Sequence, residues 1–160
     1  EYDKVVFAVH ANEVLGLIEN PTKSEKEIFK NFEYKKNIGY LHNDNRLMPD
    51  RKNAWSSWNS ILDKNDMKKN CITYWLNKLQ NLKSEKNYFF TLNPFISIEE
   101  RKIFKKVEFT HPFYDMKTIN AQKYLSELQG VNNSYFCGSY FGYGFHEDGL
   151  NSGIDVSNKL

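Results

Sequence analysis

The chain has 160 residues, 40% hydrophobic and 16% aromatic, enough to build the core of one domain or of parts of two. Its 22 basic and 20 acidic side chains leave a net charge of only +2, with the lysines scattered, which argues against a nucleic-acid binder and against charge-driven attachment to an anionic membrane. No apolar run approaches the roughly 20 residues of a transmembrane segment, and Cys71 and Cys137 stand in unrelated contexts, so they form neither a disulfide framework nor a metal site and fit a cytoplasmic setting.

The chain opens, without a signal-peptide layout, into the β-branched and aromatic run of residues 5–9, which predicts a strand buried on both faces. Val14, Leu15 and Ile18 then share one side of a short helix that Pro21 ends. Ser24 and Glu27 have the spacing of a capping box, predicting a second helix that carries Ile28, Phe29 and Phe32.

From Ile38 the pattern changes to alternation. Ile38, Tyr40 and His42 read as a half-exposed strand. Residues 54–62 read as another, with Ala54, Trp58 and Leu62 on one face and Trp55 and Ile61 on the other. Residues 71–76, 88–92 and 107–109 extend the series, separated by the polar stretches 64–70 and 81–87. An antiparallel sheet of about four to six strands follows. An α/β rhythm then returns. Asp115 is placed to cap a helix with Ile119, Ala121, Leu125 and Leu128, ending near Gly130; residues 134–137 form a short strand; a glycine-dense turn leads into a closing helix carrying Leu150 and Ile154.

The predicted fold class is therefore α/β plus an antiparallel sheet, one domain interrupted by another. Residues 1–33 and 113–160 form the α/β part, which puts residues 5–9 and 135–137 side by side, and residues 34–112 form the inserted, mostly antiparallel domain.

The chemistry is concentrated in the segment from Tyr135 to Gly153. A strand ending at Gly138 passes through Ser139, Gly142, Gly144, Phe145, His146, Glu147, Asp148, Gly149 and Leu150 to Ser152-Gly153. Glycines let a flat or anionic ligand approach the backbone, and a helix start offers amides and a positive dipole end. The same pattern also serves a tight strand–helix turn. In the middle domain, Trp55 and Trp58 with Asn59 are candidates to line a substrate cavity, against the plainer reading of core packing, and His42 is a candidate proton shuttle or a turn residue. Trp75 and His111 read as structural. No His, Cys and carboxylate set has metal spacing.

The glycine-rich segment with its acidic residue and Ser152-Gly153 is similar to the C-terminal flavin-contact motif of the flavin amine-oxidase superfamily, which includes monoamine and polyamine oxidases, protoporphyrinogen oxidase and carotene desaturases. The run from Gly144 to Leu150 resembles one branch in particular, bacterial NAD/FAD-binding proteins and the flavoprotein-like N-terminal part of plant cyclopropane fatty acid synthases. Ala54 to Asn59, Thr73 to Asn77, Thr91 to Pro94 and His111-Pro112 resemble that branch too. The resemblance implies a Rossmann-like, FAD-dependent oxidoreductase, with residues 138–153 against the flavin and hydride transfer from a C–H bond of an amine, another small molecule or a lipid acyl chain. Phe145 stands where amine oxidases often carry a Tyr, which weighs against amines. The family's GxGxxG fingerprint does not occur here, so the resemblance also implies an N-terminal FAD-binding segment of the same protein ahead of this chain. The alternative is a non-catalytic lipid- or partner-binding module that keeps the fold without FAD.

Overall fold

The computed structural model describes residues 2–160. The elements run β1 (Val5–Phe7), α1 (Ala11–Leu17), α2 (Lys23–Phe29), β2 (Glu33–His42), β3 (Trp58–Leu62), β4 (Asn70–Trp75), α3 (Leu76–Leu79), β5 (Phe89–Leu92), β6 (Ile103–Phe113), α4 (Met116–Gln122), β7 (Ser134–Phe136) and α5 (His146–Ser157), with short 3-10 turns between them. The chain divides into two compact units, one made of the residues up to Lys35 together with His111–Leu160, the other of Lys36–Thr110.

In the first unit β1 pairs with β7 in parallel, Val6 opposite Tyr135 and Phe7 opposite Phe136. Because side chains alternate along a strand, this pair has two distinct faces. On one, Phe7 stacks on Phe136 at 5.3 Å and Phe29 of α2 tilts against Phe136 at 5.1 Å. Tyr140 meets the edges of Phe29 and Phe32, and Val14, Leu125 and Leu128 complete this core. On the other, Tyr135 and Cys137 pack against Val156 of α5. The sheet is thus sandwiched between helices, as parallel strands require.

The opening run departs from its expected burial. Its regular part stops at Phe7, and Val5 and Val6 are about 40% exposed, because a two-stranded sheet offers no further neighbour to cover them. The capping box also sits two residues earlier than expected. Thr22 Oγ1 accepts from Glu25 N at 3.2 Å while the buried Glu25 carboxylate accepts from Thr22 N at 2.6 Å, so the helix start is satisfied before Ser24 is reached. Asp115 does cap α4, accepting from Thr118 N at 2.9 Å, and Thr118 Oγ1 donates to Asn31 O at 2.8 Å. The helix is shorter than its apolar pattern; Leu125 and Leu128 lie in a following 3-10 turn.

The second unit is a five-stranded antiparallel sheet in the order β3-β4-β5-β2-β6. Trp58 faces Tyr74, Thr73 faces Thr91 and His42 faces Phe89 across successive pairs. The strand expected over residues 54–62 begins only at Trp58; residues 52–54 form a 3-10 turn, and Trp55 leaves it with its Nε1 donating to Pro49 O at 2.7 Å.

Candidate functional site

The glycine-rich segment folds as a strand end, a 3-10 turn over Ser139–Phe141 and the first turns of α5. At Gly138 a Cβ would lie 2.5 Å from Tyr140 Cε1, so the ring takes the place a side chain would need. Ser152 Oγ accepts from Gly138 N at 2.9 Å and lies 2.8 Å from Gly149 O, tying α5 to the end of β7. Gly144 adopts φ +93°, a left-handed conformation that disfavours a Cβ, with the Tyr114 hydroxyl about 3.0 Å from where one would stand.

Helix α5 starts at His146, earlier than the glycines imply, so Glu147, Asp148, Gly149 and Gly153 are helical. Phe145 is its N-cap and has no side chain able to accept a bond. Asp148, three residues on, reaches back instead, its Oδ2 accepting from Phe145 N at 2.9 Å and from Tyr143 N at 3.0 Å. Its carboxylate fills the space beside Gly142. Gly149 faces the segment's own backbone, with Ser139 N about 3.6 Å from a would-be Cβ, and its amide donates to Phe145 O at 3.3 Å. Gly153 has open space beside it. Tyr143, Phe145, Leu150 and Ile154 are exposed, as are His146 and Glu147. Leu150 and Ile154, four residues apart, share one side of α5.

Whether this segment suits a flavin depends on which part of the cofactor is considered. Two acidic residues in the first turn, Glu147 and Asp148, offset the helix dipole, and Asp148 already takes two of the loop amides, so a diphosphate does not fit at this helix start. A flat, uncharged ring system does. The exposed Tyr143, Phe145 and Leu150 offer apolar contact, and the buried Tyr114 hydroxyl next to Gly144 has no hydrogen-bond partner among the described residues.

The predicted substrate residues separate onto two faces of the five-stranded sheet. His42, Asn59, Thr73, Thr91 and Phe89 lie on the inner face, where Trp55 meets Trp75 and Phe89 edge-on at 5.3 and 5.7 Å. Asn59 is buried and spends both ends of its amide on the chain, its Oδ1 accepting from Ser56 N at 3.0 Å and its Nδ2 donating to Ser56 O and Thr73 O. His42 is fully buried. Asp44 N donates to its Nδ1 at 3.0 Å, which leaves the ring proton on Nε2, 2.7 Å from Thr91 Oγ1; Thr91 and Thr73 hydroxyls meet at 2.8 Å. Burial lowers its pKa to about 4, only partly opposed by the Asp44 charge. A neutral ring with both nitrogens engaged is a structural link and not a proton shuttle.

Beside it, the buried Asp44 carboxylate is held well below the usual carboxylate range, first by the Arg46 guanidinium, whose Nη2 lies 2.5 Å from Oδ2, and also by Glu99 N at 3.1 Å. This Asp44, Arg46, Glu99 and Lys102 network carries no sequence motif, because its members come from separate segments that only the fold brings together. Trp58 alone of the predicted substrate residues lies on the outer face, 63% exposed. Among the described residues no three His, Cys, Asp or Glu side chains gather as a metal site, and no helix is long and apolar enough to cross a membrane. Cys71 and Cys137 are free and buried, with burial pushing both thiols up.

The fold is similar to that of a CLA-producing fatty acid isomerase from P. acnes, seen in its crystal structure, with a TM-score of 0.60 over 99% of this chain and 12% sequence identity. The chain spans 41% of that protein's length, and at this identity the likeness is one of fold. No protein-family model matches the sequence, and neither does any curated protein.

Proposed function

We propose that this chain is the C-terminal part of a FAD-dependent enzyme whose substrate is a long-chain fatty acyl compound. The observation that carries the substrate class is the fold: nearly the whole chain superposes on part of a protein described as a fatty acid isomerase. The cofactor rests on the resemblance of residues 138–153 to flavin-contact segments, together with the exposed apolar residues of that segment and the unpartnered Tyr114 hydroxyl. The chemistry FAD supplies when bound is acceptance of a hydride from a substrate C–H bond. Within this chain, Tyr143, Phe145 and Leu150 would press against the flavin ring and Tyr114 would donate to its polar edge. The diphosphate would be held by an N-terminal segment of the same protein, since Asp148 and Glu147 make the start of α5 unsuitable for it.

The test is to purify the full-length protein, read bound flavin from its visible spectrum, and mix it without oxygen with an unsaturated fatty acid. The expected result is a yellow protein whose flavin bleaches on mixing or which converts the fatty acid. A colourless protein that binds the fatty acid unchanged would establish the alternative, a lipid-binding module without FAD.

A further inference from the structure

The outer face of the five-stranded sheet carries a row of aromatic rings, exposed at Trp58 and half-buried at Tyr74, Phe90 and Phe109. Trp58 on β3 meets Tyr74 on β4 edge-on at 5.0 Å, Tyr74 lies 6.4 Å from Phe90 on β5, and Phe90 stacks on Phe109 of β6 at 6.5 Å. Strand β2 lies between Phe90 and Phe109, and the row crosses it because β2 has a glycine there. The Phe90 ring occupies the position a Gly39 side chain would take, with its Cζ closest. Any larger residue would break the row at its middle.

Two properties define what fits this row. The first is charge. Around Trp58, Tyr74 and Phe90 the other side chains on the same face are Ser60, Leu62, Asn70, Ile72 and Leu92, with Gly39 and Leu41 added by β2, all uncharged. Charge enters at the β6 side, where Lys35 of β2 lies over Phe113 and alternation places Lys105 or Lys106 on this face. The second is shape. The row is one ring wide and crosses five strands, about 19 Å at ordinary strand spacing, which is the length of an extended long acyl chain. It is open at the β3 and β4 end, with Trp58 63%, Leu62 48% and Ile72 36% exposed, and half-buried at Tyr74, Phe90 and Phe109. A narrow, linear aromatic track, uncharged from Trp58 to Phe90, complements a linear, uncharged tail; a protein partner or a membrane surface calls for a broader patch.

We propose that this row, Trp58–Tyr74–Phe90–Phe109 with Gly39 beneath it, is the track on which a single long acyl chain lies. The inference rests on the fatty acyl reading above and gives that substrate a place in this chain.

The probe is dibromostearic acid, kept below its micelle concentration and titrated into the chain while tryptophan emission is followed; bromine quenches on contact. Trp58 stands in the row, whereas Trp55 and Trp75 pack on the opposite face. Saturable quenching is expected in the wild type and should largely vanish in Trp58→Phe, while unlabelled stearate displaces the probe. Ile72→Lys, which sets a charge on an exposed position of the face, should weaken binding roughly tenfold or more with the circular dichroism spectrum unchanged. Quenching that persists in Trp58→Phe, or affinity indifferent to Ile72→Lys, puts the acyl chain elsewhere; turnover or flavin bleaching by the full-length protein would then leave the functional reading standing. Absence of quenching overturns the track, and the functional reading falls with it only if the full-length protein also ignores fatty acids. Sedimentation showing a dimer that Ile72→Lys dissociates, or Ile72-dependent partition onto phosphatidylcholine vesicles in place of monomeric binding, would likewise overturn it.

Discussion

His42 Nε2 lies 2.7 Å from Thr91 Oγ1 while its Nδ1 accepts from the Asp44 amide at 3.0 Å, so the ring is held neutral in the interior of the sheet. Protonation would put a second hydrogen on Nδ1, facing the N–H that now donates to it.

Stability should therefore depend on pH below neutrality. The folded pKa, about 4, lies below the ordinary 6.5, so the unfolded chain binds the proton more readily. The stabilisation is complete above pH 6.5, falls as pH drops from 6.5 to 4, and changes no further from this group below that. Its size is roughly 3 kcal/mol. Urea midpoints at half-unit pH steps should show this slope, and His42→Asn, less stable throughout, should lack it.

Asp44 governs the more acidic range. Its depressed pKa means that its contribution is present above the normal carboxylate range and is lost as pH falls below it. Asp44→Ala leaves Glu99 N without its acceptor and removes the anchor of Arg46 and Lys102, costing about 2–4 kcal/mol. Arg46→Gln should keep the fold but start acid unfolding at a higher pH. Chemical unfolding of both variants across acid pH checks the order.

What the sequence reveals and what it conceals divides along local against non-local physics. Asp115 and the alternation of Tyr40 and His42 are local signals, and the structure has a cap and a strand there. The pairing of β1 with β7 was also legible, because the α/β, β, α/β order leaves those two strands as neighbours. Burial of Val5 and Val6 was not, since it depends on what stands beside the sheet. The start of α5 was hidden because its cap is Asp148 reaching backward and not a polar residue at position 145. Trp58 is recognisable as a candidate from its polar neighbours, whereas the row it forms with Tyr74, Phe90 and Phe109 is not. Their alignment requires the register of four separated strands, and the only trace in the sequence is that each occupies one parity of its own strand.

Ser152 is a small buried residue that ties α5 to the end of β7. Its hydroxyl receives Gly138 N and lies within reach of Gly138 O and Gly149 O. Ser152→Ala leaves the Gly138 amide unpaired beside a buried ring, so a loss of about 1–3 kcal/mol is expected. Ser152→Thr keeps the hydroxyl and should recover part of it. Thermal melts of the three proteins check the ranking. Equal melting temperatures for Ala and wild type would mean the amide finds another acceptor.

Asp148 separates the structural work of the segment from any ligand work. Its carboxylate accepts from two loop amides, Tyr143 N and Phe145 N, and sits at the positive end of α5, so both hydrogen bonding and charge favour it there. Asp148→Ala removes both effects. The loop from Gly142 to Phe145 should loosen, and stability should fall by about 1 kcal/mol. Asp148→Asn keeps an amide oxygen that can still accept but loses the charge, so it should fall between the two. Amide hydrogen exchange resolves the point residue by residue. The Tyr143 and Phe145 amides should exchange faster in Asp148→Ala and only modestly faster in Asp148→Asn, with the amides of β7 unchanged in both. In the flavin-loaded full-length protein the neutral Asn variant should also raise the flavin midpoint potential, because a negative charge has been removed near a ring that gains negative charge on reduction. If exchange changes as described and the potential does not move, Asp148 acts only as the helix cap and the ring lies away from the start of α5.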